Sequence, residues 1–179
     1  SIGGFSIYNE NIGYFDSFQI ELIAVAFMLI SATNFGLHFL ALTKRSIKYH
    51  LNNDEFKFFL FVVVVSIVVS TLTLLLKEGF SINDSLRFGV FQTVSIVTTT
   101  GYTLEPLSNL GNIMPFFIFI IAFIGACSGS VGGGMKAWRI LTLLKIGFSN
   151  ITKIMHPNAV STTKMNGEKI SSSQIEAVF

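Results

Sequence analysis

The stretch SINDSLRFGVFQTVSIVTTTGY, from Ser81 to Tyr102, decides how this chain is organised. Ser81 or Asn83 can cap a helix start, and Asp84 suits the positive end of a helix dipole. The helix that follows is predicted to run about 12 to 14 residues, too short to cross a hydrocarbon core of roughly 30 Å. It ends in a Thr/Gly turn, and the chain is expected to return through Gly111–Asn112. A half-helix continued by irregular backbone is tolerated at membrane depth only where it lines water or is buried in protein. The segment reads as a re-entrant pore loop.

Longer apolar runs flank it. Phe18 to Leu42 and Phe56 to Leu76, about 25 and 21 residues long, each suffice to cross a bilayer. Ile113 to Ile146 is about 34 residues long, which as one straight helix would reach about 50 Å, so it must break. The break falls at Gly125-Ala-Cys-Ser-Gly-Ser-Val-Gly-Gly-Gly134. Composition agrees: 51% of residues are hydrophobic and 12% charged, against about 25% charged in soluble domains. Mean hydropathy is +0.65. The Phe runs Phe58–Phe59 and Phe116–Phe117 suit lipid-facing surfaces. The fold class expected is an all-α membrane protein built of span, pore helix, span repeats with re-entrant loops.

The net charge of +2 is too small for a nucleic-acid surface, and the single cysteine, Cys127, excludes an intrachain disulfide. No charged leader precedes an apolar run, so no signal peptide is read. An apolar pattern begins at Ile175 and ends with the chain at Phe179, so the sequence reads as cut at both ends. Basic residues set the orientation. Lys44, Arg45, Lys48 and Lys57 lie between the first two spans, and Lys145, Lys153, Lys164 and Lys169 follow the third. The other side holds only Lys77 and Arg87 against Glu78, Asp84 and Glu105. The positive-inside rule places 43–55 and 147–172 in the cytosol and the Thr/Gly turn outside.

The start of the chain repeats the pore turn. Aligning Gly4 with Gly101 sets Phe5 opposite Tyr102 and Ser6 opposite Thr103, and both strings precede an outer loop and a span. Ion sites in repeat-built transporters commonly sit at the repeat interface. Three parts result: 1–55, the tail of one unit with its span and cytosolic loop; 56–146, a complete unit; and 147–179, a cytosolic linker and the start of the next.

Several of these strings resemble the Trk/Ktr/HKT potassium transporter superfamily. They are Phe91-Gln-Thr-Val-Ser before Thr98-Thr-Thr-Gly-Tyr102, and Ile2-Gly-Gly-Phe-Ser6 before Ile12-Gly-Tyr-Phe-Asp16. The segment GACSGSVGGGMKAWRIL, followed by His156-Pro-Asn-Ala-Val160, is similar to the bacterial Trk pore subunit. In that family four such units in one chain surround one ion path. The resemblance implies potassium transport across a bacterial inner membrane through a multi-pass protein, with this chain covering the second filter segment to the start of the fourth unit. It also implies a homodimer of the full pore subunit on a cytosolic nucleotide-binding ring. Partners are then membrane lipid and the remaining units, K+ is the cargo, and no cofactor is expected.

Filter chemistry suits these residues. A potassium ion entering a filter exchanges hydration water for main-chain carbonyls. Aiming successive carbonyls at one axis needs angles that Gly adopts freely, hence Gly4 and Gly101. The filter is assigned to Ile2, Gly3, Gly4, Phe5, Thr98, Thr99, Thr100, Gly101 and Tyr102, with K+ at the Gly4 and Gly101 carbonyls. The Thr hydroxyls can add oxygens, Tyr102 and Phe5 can wedge the strands from behind, and the half-helix aims its negative end at the path.

The Gly-rich segment departs from a phosphate loop, because Met135 precedes Lys136 and Ala137 follows it. No strand precedes it, as a dinucleotide site requires. It is either a close-packed kink or a movable loop beneath the filter, and the resemblance favours the loop. The gating residues would be Gly125, Ser128, Gly129, Ser130, Gly132, Gly133 and Gly134. Lys136 and Arg139, read as sharing a helical face, are snorkelling groups or gate charges. Ser31, Asn34 and His38 form a polar stripe that packs against a helix or lines the cavity. His50 and His156 lack neighbouring ligand types and are assigned no metal. Two rival functions remain. An intramembrane serine protease would use Ser128 or Ser130 with His38, and a tetrameric two-span channel would need only one filter sequence, whereas two stand here.

Overall fold

The computed structural model describes residues 2–77, 79–105, 113–156 and 164–170. The expected return at Gly111–Asn112, the Pro157–Val160 string and the apolar start at Ile175 lie outside the described residues. After a 3-10 turn at Asn11–Phe15 come α1 (Phe18–Ala32), α2 (Phe35–Thr43), α3 (Lys48–Leu51), α4 (Asp54–Lys77), α5 (Ile82–Val97), α6 (Ile113–Ile124) and α7 (Ala137–Met155). A two-residue antiparallel pair, β1 (Lys164–Met165) and β2 (Glu168–Lys169), turns through Asn166–Gly167. Among the described residues the remaining regular elements are helices, as the apolar pattern requires.

Helix α4 is the long span. Its Asp54–Leu76 portion has the length and apolarity to cross a membrane. Helix α5 packs along it through small and polar side chains. Thr93 Oγ1 donates to Ser70 Oγ at 2.7 Å, both buried. A Cβ added at Gly89 would sit 2.6 Å from Thr71 Oγ1, so only glycine allows this crossing. Small residues that let backbones approach are the usual device of helix pairs in lipid. Phe59, Phe91, Val94 and Val97 close the core between these two helices and α1. The Phe runs split between inside and outside: Phe59 is 1% exposed, while Phe116 is 68% exposed.

The first apolar run is not one straight span. Helices α1 and α2 meet at a 96° bend. Thr33 is extended, its hydroxyl donating to the Leu29 carbonyl at 3.0 Å. Asn34 then caps α2, its side chain accepting from the Gly36 N–H at 2.7 Å. The polar stripe is split accordingly: Ser31 bonds the Met28 carbonyl, Asn34 is a cap, and His38 reaches the Ile30 carbonyl near the end of α1, which also accepts the Thr33 N–H. His50 is not isolated, since its Nε2 lies 3.2 Å from His38 Nδ1.

At the other end of α1 an ion-pair cluster fixes the pore helix. Arg87 Nε donates to Glu21 Oε2 at 2.8 Å, and its Nη2 reaches Glu21 Oε1 at 2.5 Å and Asp16 Oδ1 at 2.7 Å. Glu21 is buried, so this bidentate pairing is what permits its charge there.

Candidate functional site

The site begins with how α5 starts and stops. Ser81 rather than Asn83 is the cap: its Oγ accepts from the Asp84 N–H at 3.2 Å and donates to Asp84 Oδ2 at 2.7 Å. The helix runs 16 residues, slightly longer than its sequence suggests. At about 24 Å it still falls short of a bilayer core. It ends in a reversed turn. Thr99 N–H donates to the Ile96 carbonyl at 2.9 Å and Thr100 N–H to the Ser95 carbonyl at 2.8 Å, the Schellman pattern. Glycine usually occupies the left-handed position of that motif, but here Thr99 does, with φ of 58°. A β-branched residue in that region stores roughly 1–3 kcal/mol of strain, a feature that clusters at functional sites.

Beyond this turn Gly101 lies against Gly4. Both have positive φ, 85° and 62°. A Cβ on Gly101 would stand 3.0 Å from the Gly4 nitrogen and 3.2 Å from the Gly3 carbonyl carbon, and one on Gly4 would overlap the Gly101 carbonyl. The two strands thus run backbone to backbone, although the glycines are far apart in the sequence. The Gly4 carbonyl accepts from Asn11 Nδ2 at 2.9 Å, which keeps one lone pair free. Tyr102 packs on the core as a wedge. Phe5 does not: it is 90% exposed, and its ring stands beside Gly3. Ile2 is also exposed.

The Thr hydroxyls, expected as extra oxygens, are engaged within the protein. Thr98 Oγ1 and Thr100 Oγ1 pair at 2.9 Å, both residues buried. Thr99 Oγ1 accepts the Gly133 N–H at 2.5 Å. That last bond brings the Gly-rich segment directly onto the turn.

The segment itself is unwound between α6 and α7, with positive φ at Gly125, Gly129 and Gly134. It is plugged into the bend of the first apolar run. Cys127 N–H donates to the Ala32 carbonyl at 3.0 Å, Phe35 N–H to the Gly129 carbonyl at 3.0 Å, and Val131 N–H to the Ser31 carbonyl at 3.3 Å. Two breaks in helices thereby satisfy each other's orphan groups, as backbone at membrane depth must. Close contact accounts for the glycines: a Cβ on Gly132 would strike Ala126 and come within 3.2 Å of the Thr98 carbonyl.

Lys136 and Arg139 do not share a helical face. Lys136 precedes α7 with φ of 71°, and its Nζ turns back to the Gly132 carbonyl, whereas Arg139 is exposed on the helix. A carboxylate that the sequence reading passed over completes the region. Glu55, 4% exposed, accepts the Ser128 N–H at 2.5 Å and the Ser128 hydroxyl at 2.8 Å. The protease reading fails on the same contacts. Ser128 Oγ serves Glu55, Ser130 Oγ donates to the Cys127 carbonyl, and His38 is bonded to Ile30 and His50. No serine–histidine pair forms there. Among the described residues no cluster of three or more metal-ligating side chains occurs.

The comparisons point one way. A family model described as a cation transport protein, TrkH, matches residues 1–179. The chain is 39% identical over 179 residues to the Trk system potassium uptake protein TrkH of Halomonas elongata, covering all of this chain and 37% of that one. To the Trk system potassium uptake protein TrkG of Escherichia coli K12 it is 29% identical over 179 residues, again 37% of that protein. The crystal structure of the potassium transporter TrkH from Vibrio parahaemolyticus matches with a TM-score of 0.91 at 40% identity, over 98% of this chain and 38% of that one. The chain therefore spans less than two-fifths of the relatives it matches. On the match across its whole length, this chain belongs to the TrkH family of cation transport proteins.

Proposed function

We propose that this chain forms part of a potassium uptake pore in the bacterial cytoplasmic membrane, with the Gly4 and Gly101 strands as two walls of its selectivity filter. The observation that carries this reading is the backbone contact of those two glycines at the carboxyl end of a buried half-helix. Carbonyl dipoles there meet the negative end of the α5 dipole, so a cation is favoured and an anion is not. The first and fourth units, carried by the rest of the full-length subunit, would close the ring in pseudo-fourfold fashion. The Gly-rich segment, seated on Thr99, is the gate beneath the filter. Driving force would come from the membrane potential, about 2.3 kcal/mol per charge per 100 mV. The full-length subunit is proposed to act as a homodimer on a cytosolic nucleotide-binding ring, filter side outward.

The test is rubidium and sodium uptake by the full-length protein carrying Gly101→Ser. A side chain at φ of 85°, pressed on the Gly3–Gly4 backbone, must displace one strand. Discrimination between the ions should fall by about tenfold, the change that roughly 1.4 kcal/mol produces. An unaltered ratio would remove Gly101 from the filter.

A further inference from the structure

The amino end of α4 joins parts of the chain that are far apart in sequence. Glu55 holds Ser128 through both carboxylate oxygens, one on the N–H and one on the hydroxyl. The Trp138 backbone and the Lys136 charge also act on this carboxylate, and among the described residues it forms no salt bridge. A buried carboxylate with no salt bridge depends chiefly on its hydrogen-bond donors, so the two bonds to Ser128 are ones that α4 resists losing. Ser128 sits at the head of the Gly-rich segment, one residue after the Cys127 N–H that plugs the α1–α2 bend.

The neighbouring residue points the other way. Asp54 Oδ2 accepts from Lys145 Nζ at 2.8 Å and from the Asn166 N–H at 3.1 Å, while the Asp54 N–H donates to Asn166 Oδ1 at 2.7 Å. Lys145 Nζ also donates to the Lys164 carbonyl at 2.9 Å. Consecutive residues of one helix end thus hold the Gly-rich segment on one side and the β1–β2 hairpin with α7 on the other. A helix end is stiff over that distance, so displacement of the hairpin pulls on Asp54 and thereby on Glu55.

We propose that Glu55 is a positioning residue that latches the Gly-rich segment shut, and that Asp54 couples this latch to the hairpin at 164–169. The proposal rests on the reading of that segment as the gate. In the full-length protein reconstituted into liposomes, Glu55→Gln and Ser128→Ala should each raise rubidium uptake by up to about tenfold, the scale set by one hydrogen bond to a charged group. The rubidium-to-sodium ratio should stay unchanged, because the filter is untouched. A cysteine placed at the exposed Val131 should react faster with a thiol reagent in the Glu55→Gln background. In a variant shortened between Gly129 and Gly134, where the gate is already open, Glu55→Gln should add nothing.

The arms separate two failures. If shortening raises uptake while Glu55→Gln and Ser128→Ala stay at the wild-type rate, the latch is overturned and the gate stands. If shortening itself leaves uptake unaltered, the gate reading falls and the latch with it. Should Glu55→Gln not reach the membrane, Ser128→Ala decides the matter, since it keeps the carboxylate and its N–H donor. Asp54→Asn raising uptake supports the coupling to the hairpin, and wild-type uptake in that variant overturns it.

Discussion

Thr99 carries more of this structure than a single turn residue usually does. It occupies the left-handed position where a glycine would be free of strain, and its hydroxyl holds the Gly133 N–H at 2.5 Å. Strain at one place and a bond at another tie the turn after α5 to the Gly-rich segment. Thr99→Val keeps the branched shape and removes the acceptor, stranding an N–H at a cost of about 1–3 kcal/mol. Rubidium uptake by the full-length variant should rise, whereas Thr99→Ser, which keeps the hydroxyl, should match wild type. Equal uptake by all three would contradict a role for the Thr99–Gly133 bond in transport. At this scale the sequence was legible where chemistry constrains one position strongly: Gly101 after a half-helix has few other readings. Glu55 was not legible. An acid at the first turn of an apolar helix ordinarily faces water and favours the helix dipole, whereas Glu55 is buried against Ser128, 73 positions away.

Among the elements, the broken ones matter most. Length and apolarity made Phe18 to Leu42 look like one span, because counting apolar residues is blind to a pair such as Thr33–Asn34. The cap signal of Asn34 with Gly36 was present, yet the groups that satisfy the bend come from residues 127–131, and no local pattern reports that. The break in the third run was legible because five glycines fall within ten residues. Two short elements beside the bend also set a pH dependence. His38 Nε2 must donate to the Ile30 carbonyl, so His38 Nδ1 accepts from His50 Nε2. His50 Nδ1 is then a bare lone pair, buried without a hydrogen-bond partner. Burial, and secondarily His38, hold the His50 pKa below its usual 6.5. The neutral form is therefore favoured on folding. The resulting stability is whole above pH 6.5 and is lost as pH falls through that value toward the lowered one. Relative to His50→Gln, whose amide can still donate to His38, the wild-type melting temperature should drop as pH falls from about 7.5 to 5.5. A pH-independent difference between the two proteins would contradict this assignment.

At the largest scale, the described residues form a chain of contacts: the half-helix brings Gly101 to Gly4, the unwound segment binds the turn at Thr99, and the α1–α2 bend binds the unwound segment. Arg87 fixes the amino-terminal part of α5 to α1, while Glu55 and Asp54 fix the amino end of α4. The two glycine segments lie in contact in a chain that spans 38% of the solved TrkH chain it matches. The measurement that meets this account most directly is anomalous scattering from rubidium soaked into crystals of the full-length protein. The account predicts a peak on the path between the Gly4 and Gly101 carbonyls, at coordination distance from both. Rubidium bound elsewhere, with that path empty, would contradict it.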